Sequence, residues 1–183
     1  KGISLLIITC FIFSFFATAK VNAQSSVSGE RIAGADRYQT CINISKAGWP
    51  VNSPSGIAVI ATGKDFPDAL SAAPLAKKFN APILLAGSDT LDPLLSSELT
   101  RLIIKKVYIV GGPGVVSLDI ENKLKNMGIA AVRLFGKDRY ETSEAVANEI
   151  GAVSKIVVVT GEDFPDALSI ASWAASNGAP ILL

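Results

Sequence analysis

The side chains best suited to chemistry belong to an acidic string that occurs twice in the chain. The first copy reads T-G-K-D-F-P-D-A-L-S from Thr62 to Ser71, and the second reads T-G-E-D-F-P-D-A-L-S from Thr160 to Ser169, 98 residues later. Each copy follows an apolar run, so its carboxylates are expected at the carboxyl end of a strand, where α/β proteins bind ligands. One interpretation is therefore a Mg²⁺ site at Asp65 and Asp68.

A second interpretation of the acidic string is structural. Carboxylates at a helix start accept hydrogen bonds from unpaired amides and interact favourably with the helix dipole. The spacing puts Asp65 and Asp163 at helix caps, with Asp68 and Asp166 in the first turns. Asp36 and Asp138, each three residues before a Gln or Glu, have the spacing of a capping box and are expected to cap two other helices. Carboxylates at helix starts are common, so this interpretation is favoured and no metal ligand is predicted.

Composition excludes several classes of active site. The chain has no histidine and two cysteines, so a His/Cys zinc site, a Ser-His-Asp triad and a Cys-His dyad are ruled out within these residues. No catalytic residue and no cofactor is predicted. The net charge is +1, and it becomes −1 when Lys1 and Lys20 are removed, because 17 basic side chains become 15 against 16 acidic ones. Net charge thus gives no support for nucleic-acid binding.

A glycine-rich loop, G-G-P-G-V-V-S, follows an apolar run and opens a helical segment. Backbone amides in such a loop can face an anion, which would suit a nucleotide- or sugar-phosphate-dependent enzyme. The loop has no Lys-Ser/Thr pair and is not a Walker motif. The alternative is a structural turn whose serine caps the next helix. The candidate anion-loop residues are Gly111, Gly112, Gly114 and Ser117.

Arginines occupy matching places in a second repeated string. R-I-A-G-A-D-R-Y-Q-T begins at residue 31, and R-L-F-G-K-D-R-Y-E-T begins 102 residues later. One interpretation is that the arginines form salt bridges with Asp36 or Asp68 and their counterparts. The other is that each copy presents a guanidinium and an aromatic ring to an anionic polymer. The candidate polymer-binding residues are Arg31, Arg37, Tyr38, Arg133, Arg139 and Tyr140.

Alternating strands and helices must position these groups. Apolar runs predict strands at 57–61, 82–86, 107–111, 129–135, 156–160 and 180–183; helical patterns lie at 37–47, 69–79, 93–104, 118–127, 139–150 and 167–177. Several runs are apolar without alternation, which is typical of strands covered on both faces. The pattern predicts an α/β fold in which a parallel sheet has helices on both faces, built as Rossmann-like units in tandem.

The two strings divide the chain into a leader and two repeats. Residues 1–23 have the pattern of a signal peptide cleaved after Ala23; an uncleaved membrane anchor is the alternative, although the apolar stretch is short for a span. A short linker, 24–30, precedes a first copy at 31–132 and a second, truncated copy at 133–183. We therefore expect a secreted protein without stable membrane insertion after signal cleavage.

Taken together, the motifs R-I-x-G-x-D-R-Y-x-T, T-G-x-D-F-P-D-A-L-S, A-P-I-L-L and V-Y-I-V-G-G-x-G-V-V-S resemble the cell wall-binding repeat 2 family of Gram-positive surface proteins and autolysins. The resemblance covers residues 31–183. It implies a non-catalytic module that attaches a secreted protein non-covalently to anionic, teichoic acid-like secondary polymers of the cell wall. Such proteins usually carry three tandem repeats beside a separate functional domain.

The resemblance also indicates partners and a location. It implies an anionic wall polymer as ligand, no nucleic acid, a position at the cell wall or cell surface, and packing with further repeats or self-association. A structural surface-layer segment that binds protein neighbours is a further alternative.

Overall fold

The computed structural model describes residues 29–65 and 67–183, with Pro67 described by its backbone alone. The predicted signal peptide, 1–23, and residues 24–28 of the linker lie outside the described residues. The chain divides into two units, Lys1–Arg31 and Ile32–Leu183. All helices and strands considered below belong to the second unit.

Strands and helices alternate along that unit, as predicted. The helices are α1 (Arg37–Gly48), α2 (Pro67–Lys78), α3 (Pro93–Arg101), α4 (Leu118–Asn126), α5 (Arg139–Ile150) and α6 (Pro165–Ser176). The strands are β1 (Ile57–Thr62), β2 (Ile83–Ala86), β3 (Lys106–Val110), β4 (Ala130–Leu134), β5 (Val157–Val158) and β6 (Ile181–Leu182).

Four strands form a parallel sheet in the order β2-β1-β3-β4. The chain leaves β1 towards β2 on one side and later leaves β3 towards β4 on the other, so a topological switch point lies between β1 and β3. β5 and β6 pair in parallel as a separate, shorter sheet. They are shorter than predicted because β5 pairs only with β6 among the described residues, whereas β1 has a strand on each side.

Helices cover both faces of the four-stranded sheet, which confirms the predicted fold class. Ile60 and Ile109 point to a core shared with α1, α3 and α4. Val59 and Tyr108, one residue earlier on the same strands, point to a core shared with α2 and α5. Because neighbouring residues of a strand face opposite ways, both faces are buried and the strands are apolar without interruption.

The second copy of the sequence repeat is interlocked with the first. β4 pairs with β3, although the copy boundary at residues 132 and 133 falls inside β4. The helices α2 and α5, which share one core on one face of the sheet, are also joined. Lys78 at the end of α2 donates hydrogen bonds to the carbonyls of Glu149 (3.1 Å) and Ile150 (2.8 Å). The ammonium group thereby satisfies carbonyls at the end of α5, a helix with no basic residue in its last turn.

Helix starts confirm part of the sequence interpretation. The carboxylates of Asp36 and Asp138 cap α1 and α5 by accepting the amides three residues later, at 2.8 and 2.9 Å. The predicted cap at Asp163 is wrong, because α6 begins at Pro165 and its N-cap is Phe164. Proline suits the first helical position, and Asp163 instead accepts the Phe164 amide at 2.8 Å. Asp166 lies in the first turn as predicted.

Candidate functional site

A cavity of about 270 Å³ opens at the switch point, above the carboxyl ends of β1, β3 and β4. Its walls come from Asp65 and Asp68 at the start of α2, from residues of the glycine loop between 112 and 115, and from the segment 136–142 that starts α5. Both sequence copies therefore contribute to one cavity. This is the position where open α/β sheets bind ligands.

Asp68 lies at the base of this cavity against the glycine loop. A side-chain carbon added to Gly111 would lie 2.5 Å from the Asp68 carboxylate, so the close approach requires glycine there. Burial, followed by the charge of Asp65, raises the pKa of the Asp68 carboxyl above its ordinary value, and the positive charge of Arg139 partly offsets this. The Asp68 carboxylate is therefore only partly hydrated, and its negative charge is less well stabilised than that of an exposed carboxylate.

Arg37 and Arg139 each bond to the loop that follows a strand of their own sequence copy. Each donates a 2.6 Å hydrogen bond from Nη1 to a backbone carbonyl, of Gly63 in the first copy and Gly161 in the second. Among the described residues neither arginine forms a salt bridge, so the predicted pairing with aspartate is not the contact observed. The guanidinium groups lie instead beside the acidic strings.

The tyrosines that follow these arginines pack on the same glycines. A methyl group on Gly63 would lie 2.5 Å from the Tyr38 ring, and one on Gly161 would lie 2.7 Å from the Tyr140 ring. Glycine is therefore needed at both positions for the close approach of the tyrosine ring. The Tyr140 hydroxyl donates to Glu162 at 3.0 Å, and this bond raises the tyrosine pKa.

Arg133 is fixed inside the protein. Its side chain is 8% exposed and its Nε donates to Glu121 at 2.8 Å. Its Nη1 donates to the carbonyls of Gly111 and Val116, each at 2.9 Å. The arginine thus joins the glycine loop to α4, and these contacts explain its position without a ligand. Arg31 is exposed and belongs to the separate first unit.

The glycine loop uses most of its amides within the protein. Gly111 donates to Leu134, and Val115 and Val116 both donate to the Gly112 carbonyl. Ser117 caps α4 by accepting the Ile120 amide at 3.3 Å. With the Asp68 carboxylate facing the loop as well, the arrangement matches the structural turn and does not favour the nucleotide-binding alternative.

In the described part of the chain, potential metal ligands do not cluster and Cys41 is a partly buried free cysteine. Within the ranges 29–65 and 67–183, no group of three or more potential metal ligands is found. The Cys41 thiol donates to the Ile83 carbonyl at 3.2 Å, and burial raises its pKa. In the same ranges, no helix has the length and apolar character needed to cross a membrane.

Besides Val115, sequence reasoning missed four residues of the cavity: Gly136, Lys137, Asp138 and Thr142. The signal was present, because they belong to the string G-x-D-R-Y-x-T that recurs in both copies. Asp138 was interpreted only as a helix cap. That the string faces the glycine loop of the other copy depends on β4 pairing with β3, which a repeat pattern does not specify.

Comparison with known proteins identifies one family. Residues 31–121 and 133–183 match the family described as cell wall binding domain 2. The amidase enhancer of Bacillus subtilis (strain 168) is 42% identical over 165 residues, which cover 90% of this chain and 23% of that protein. N-acetylmuramoyl-L-alanine amidase LytC of the same organism is 39% identical over 173 residues, covering 94% of this chain and 34% of that protein.

Solved structures agree with this comparison. Cwp6 from Clostridium difficile is 35% identical with a TM-score of 0.78, covering 88% of this chain and 27% of that one. Cwp8 from the same organism gives the same identity and TM-score, covering 82% of this chain and 26% of that one. The chain spans between 23% and 34% of the length of these four proteins.

Proposed function

Because the chain belongs to the cell wall binding domain 2 family, we propose that it is a non-catalytic module that holds a secreted protein on the anionic secondary polymers of a cell wall. The names of its relatives support a location at the wall. One is an amidase of N-acetylmuramoyl-L-alanine and two are Cwp proteins. The anionic nature of the polymer is our inference from the paired arginines.

The observation that carries the proposal is the repeated arginine and tyrosine pair. Arg37 and Arg139 each use Nη1 for a glycine carbonyl, which fixes the guanidinium in place and leaves further donors for a ligand. Arg37 lies in a shallow cavity of about 390 Å³ beside Lys64, and Arg139 lies in the switch-point cavity. Each sequence copy thus offers one oriented cation beside an aromatic ring.

Two such contacts favour a long polymer over a small ligand. Each guanidinium contact is weak by itself, because both cavities are open to water and salt, which screen the charge. Linked contacts on one polymer gain from effective concentration, so the affinity rises with the number of repeats engaged.

The absence of catalysis is part of the proposal. Hydrolysis of an amide needs an activated nucleophile, a base or a metal, and the chain has no histidine. The amidase named among the relatives is matched over only 34% of its length. We therefore assign its activity to that protein and propose attachment alone for this chain.

The test is binding of the purified chain to isolated Gram-positive cell walls before and after acid extraction of their secondary polymers. We expect binding to untreated walls, weaker binding as salt rises, and loss of binding after extraction. Equal binding to both wall preparations would contradict the proposal.

Substitution of Arg37 and Arg139 by Gln tests the proposed contacts. We expect the double variant to lose wall binding by more than the product of the single losses. Lys125→Gln, which removes one exposed cation from α4, is the charge control for each single variant. Wild-type wall binding by the double variant at unchanged melting temperature would remove both arginines from the contact surface.

A further inference from the structure

The switch-point cavity has the wrong charge for a phosphate group. Three carboxylates face it, from Asp65, Asp68 and Asp138, against two cations, Lys137 and Arg139. The formal balance is one negative charge. A phosphate entering the cavity would meet more negative than positive charge, and the half-buried Asp68 carboxylate is the least screened by water.

The two cations do not outweigh the three carboxylates. Arg139 donates from Nη1 to the Gly161 carbonyl at 2.6 Å and keeps further N–H donors for a neutral hydroxyl or ring oxygen. The Lys137 side chain is 88% exposed and its ammonium lies 3.2 Å from a Glu141 carboxylate oxygen. Lys137 therefore stands at the rim, where a phosphate in solution can reach it.

The glycine loop does not compensate with amides. The amides of Val115 and Val116 are both donated to the Gly112 carbonyl, so they do not point at a ligand. The Asp68 carboxylate packs against Gly111 and occupies the side of the loop that an anion would need. The cavity thus offers carboxylate acceptors, with Arg139 as a charged donor beside them.

We propose that this cavity binds a single sugar ring of the wall polymer through its hydroxyl groups, and that the polymer's phosphate groups stay outside at the Lys137 rim. The inference rests on the wall attachment proposed above and assigns the chemical group that enters the site. An ionised carboxylate only accepts hydrogen bonds, so it selects a ligand that brings O–H donors. Such charge-assisted bonds are about twice as strong as neutral ones.

Size and electrostatics agree with a sugar ring. Cavities for drug-sized ligands begin at about 300 Å³, and this one measures about 270 Å³, which suits one ring rather than several. Burial and Asp65 raise the pKa of Asp68, so hydroxyl donors would replace water that the carboxylate lacks. The Arg139 side chain beside it can stack on or bond to the ring edge.

The experiment uses the purified chain and two probes. Neutral oligosaccharides are prepared from the wall polymer by removing its phosphates with hydrofluoric acid, and inorganic phosphate is the second probe. Amide resonances of Gly112, Gly114 and Thr142 are followed by NMR during each titration. We expect the oligosaccharides to shift these resonances and inorganic phosphate to leave them unchanged up to millimolar concentration.

A matched pair of variants locates the contact. Asp68→Asn removes the cavity carboxylate, and Asp166→Asn removes its exposed counterpart in the second copy, outside the cavity. We expect Asp68→Asn to weaken oligosaccharide binding about tenfold, the loss of one charged hydrogen bond, and Asp166→Asn to leave it unchanged. If Asp68→Asn does not fold, the two-probe titration of the unsubstituted chain decides.

The outcomes separate this inference from the proposed function. Wall binding without oligosaccharide shifts at the cavity would overturn the inference and leave wall attachment standing. Cavity shifts with inorganic phosphate, or tighter polymer binding by Asp68→Asn, would overturn it in favour of an anion site. Failure to bind untreated walls would overturn the proposed function, and the inference with it.

Discussion

Replacement of Glu98 by Gln tests the buried ion pair that joins α1 to α3. Glu98 is 2% exposed and accepts hydrogen bonds from Ser45 Oγ at 2.6 Å and from Arg101 Nη2 at 2.6 Å and Nε at 2.8 Å. Arg101 also donates to the carbonyl of Trp49 at 2.8 Å. One carboxylate thus organises the end of α1 and the loop that follows it.

The expected loss follows from these contacts. A glutamine has one oxygen for three donors, and its amide must point at a donor group, so Arg101 loses its counter-charge. Breaking a buried pair costs about 3–5 kcal/mol. Because the Arg101 side chain is 27% exposed and water can stabilise the released guanidinium, we expect about 2–4 kcal/mol. In urea this is a midpoint shift of about 1–2 M at an ordinary m-value of about 2 kcal/mol/M.

The loss should also depend on pH. Burial alone would raise the pKa of Glu98, but the hydrogen bonds from Arg101 and Ser45 outweigh it and hold the pKa below its ordinary value. A carboxyl whose folded pKa is lowered stabilises the fold fully above its unfolded pKa, about 4.3, and loses this contribution as the pH falls through the folded pKa. The difference between wild type and variant should therefore shrink below about pH 4.

The assay is urea unfolding followed by circular dichroism at neutral pH and at steps down to pH 3. Asp119→Asn is the control, because it removes the same charge from an exposed pair with Lys123 at 3.5 Å and should change the free energy of unfolding by less than about 1 kcal/mol. A Glu98→Gln loss below about 0.5 kcal/mol at neutral pH, or one that persists unchanged in acid, would refute the argument.

Three further substitutions test contacts between the two copies or contacts at the loop that follows β1. Gly63→Ala should lower the free energy of unfolding by about 1–3 kcal/mol, because its methyl would overlap the Tyr38 ring; Tyr38→Ala in the same chain should restore part of that loss. Arg133→Lys should cost about 2 kcal/mol or more, since an ammonium group cannot reach Glu121 and two carbonyls together; a melting temperature within a degree of wild type would contradict this. Tyr108→Phe, which removes a 2.6 Å hydrogen bond to a glutamate of α5, should cost about 1–2 kcal/mol by the same measurement, and no loss would mean that water replaces the hydroxyl.

Most of the fold could be predicted from the sequence, because its signals are local. The helix predicted at 139–150 has those bounds, and the strand predicted at 129–135 forms over 130–134. Uninterrupted apolar runs such as Lys106–Val110 correctly indicated strands buried on both faces. The strand predicted at 156–160 is shorter in the structure, since a strand's length depends on its neighbours as well as on its own residues.

The candidate site was less accessible to sequence reasoning. Arg133 and Arg139 occur in one string and look equivalent as ligands, yet Arg133 is bonded on several sides and Arg139 lines the cavity. The difference arises because the string crosses from β4 into α5, and only its second half leaves the sheet. The Glu98 and Arg101 pair lies outside the repeated strings that sequence reasoning relied on.

The boundary between the sequence copies falls inside β4 and not between structural units, which matters when these repeats are truncated or exchanged. A division between residues 132 and 133 would cut β4, the strand that pairs with β3, and would remove from the first copy the arginine that bonds to its glycine loop. Hybrids joined there would form β4 from the residues of two different proteins. A junction in the short turn at residues 135–137, after β4 and before the cap of α5, would keep each sheet whole and exchange the helix-bearing part of one protein for that of another.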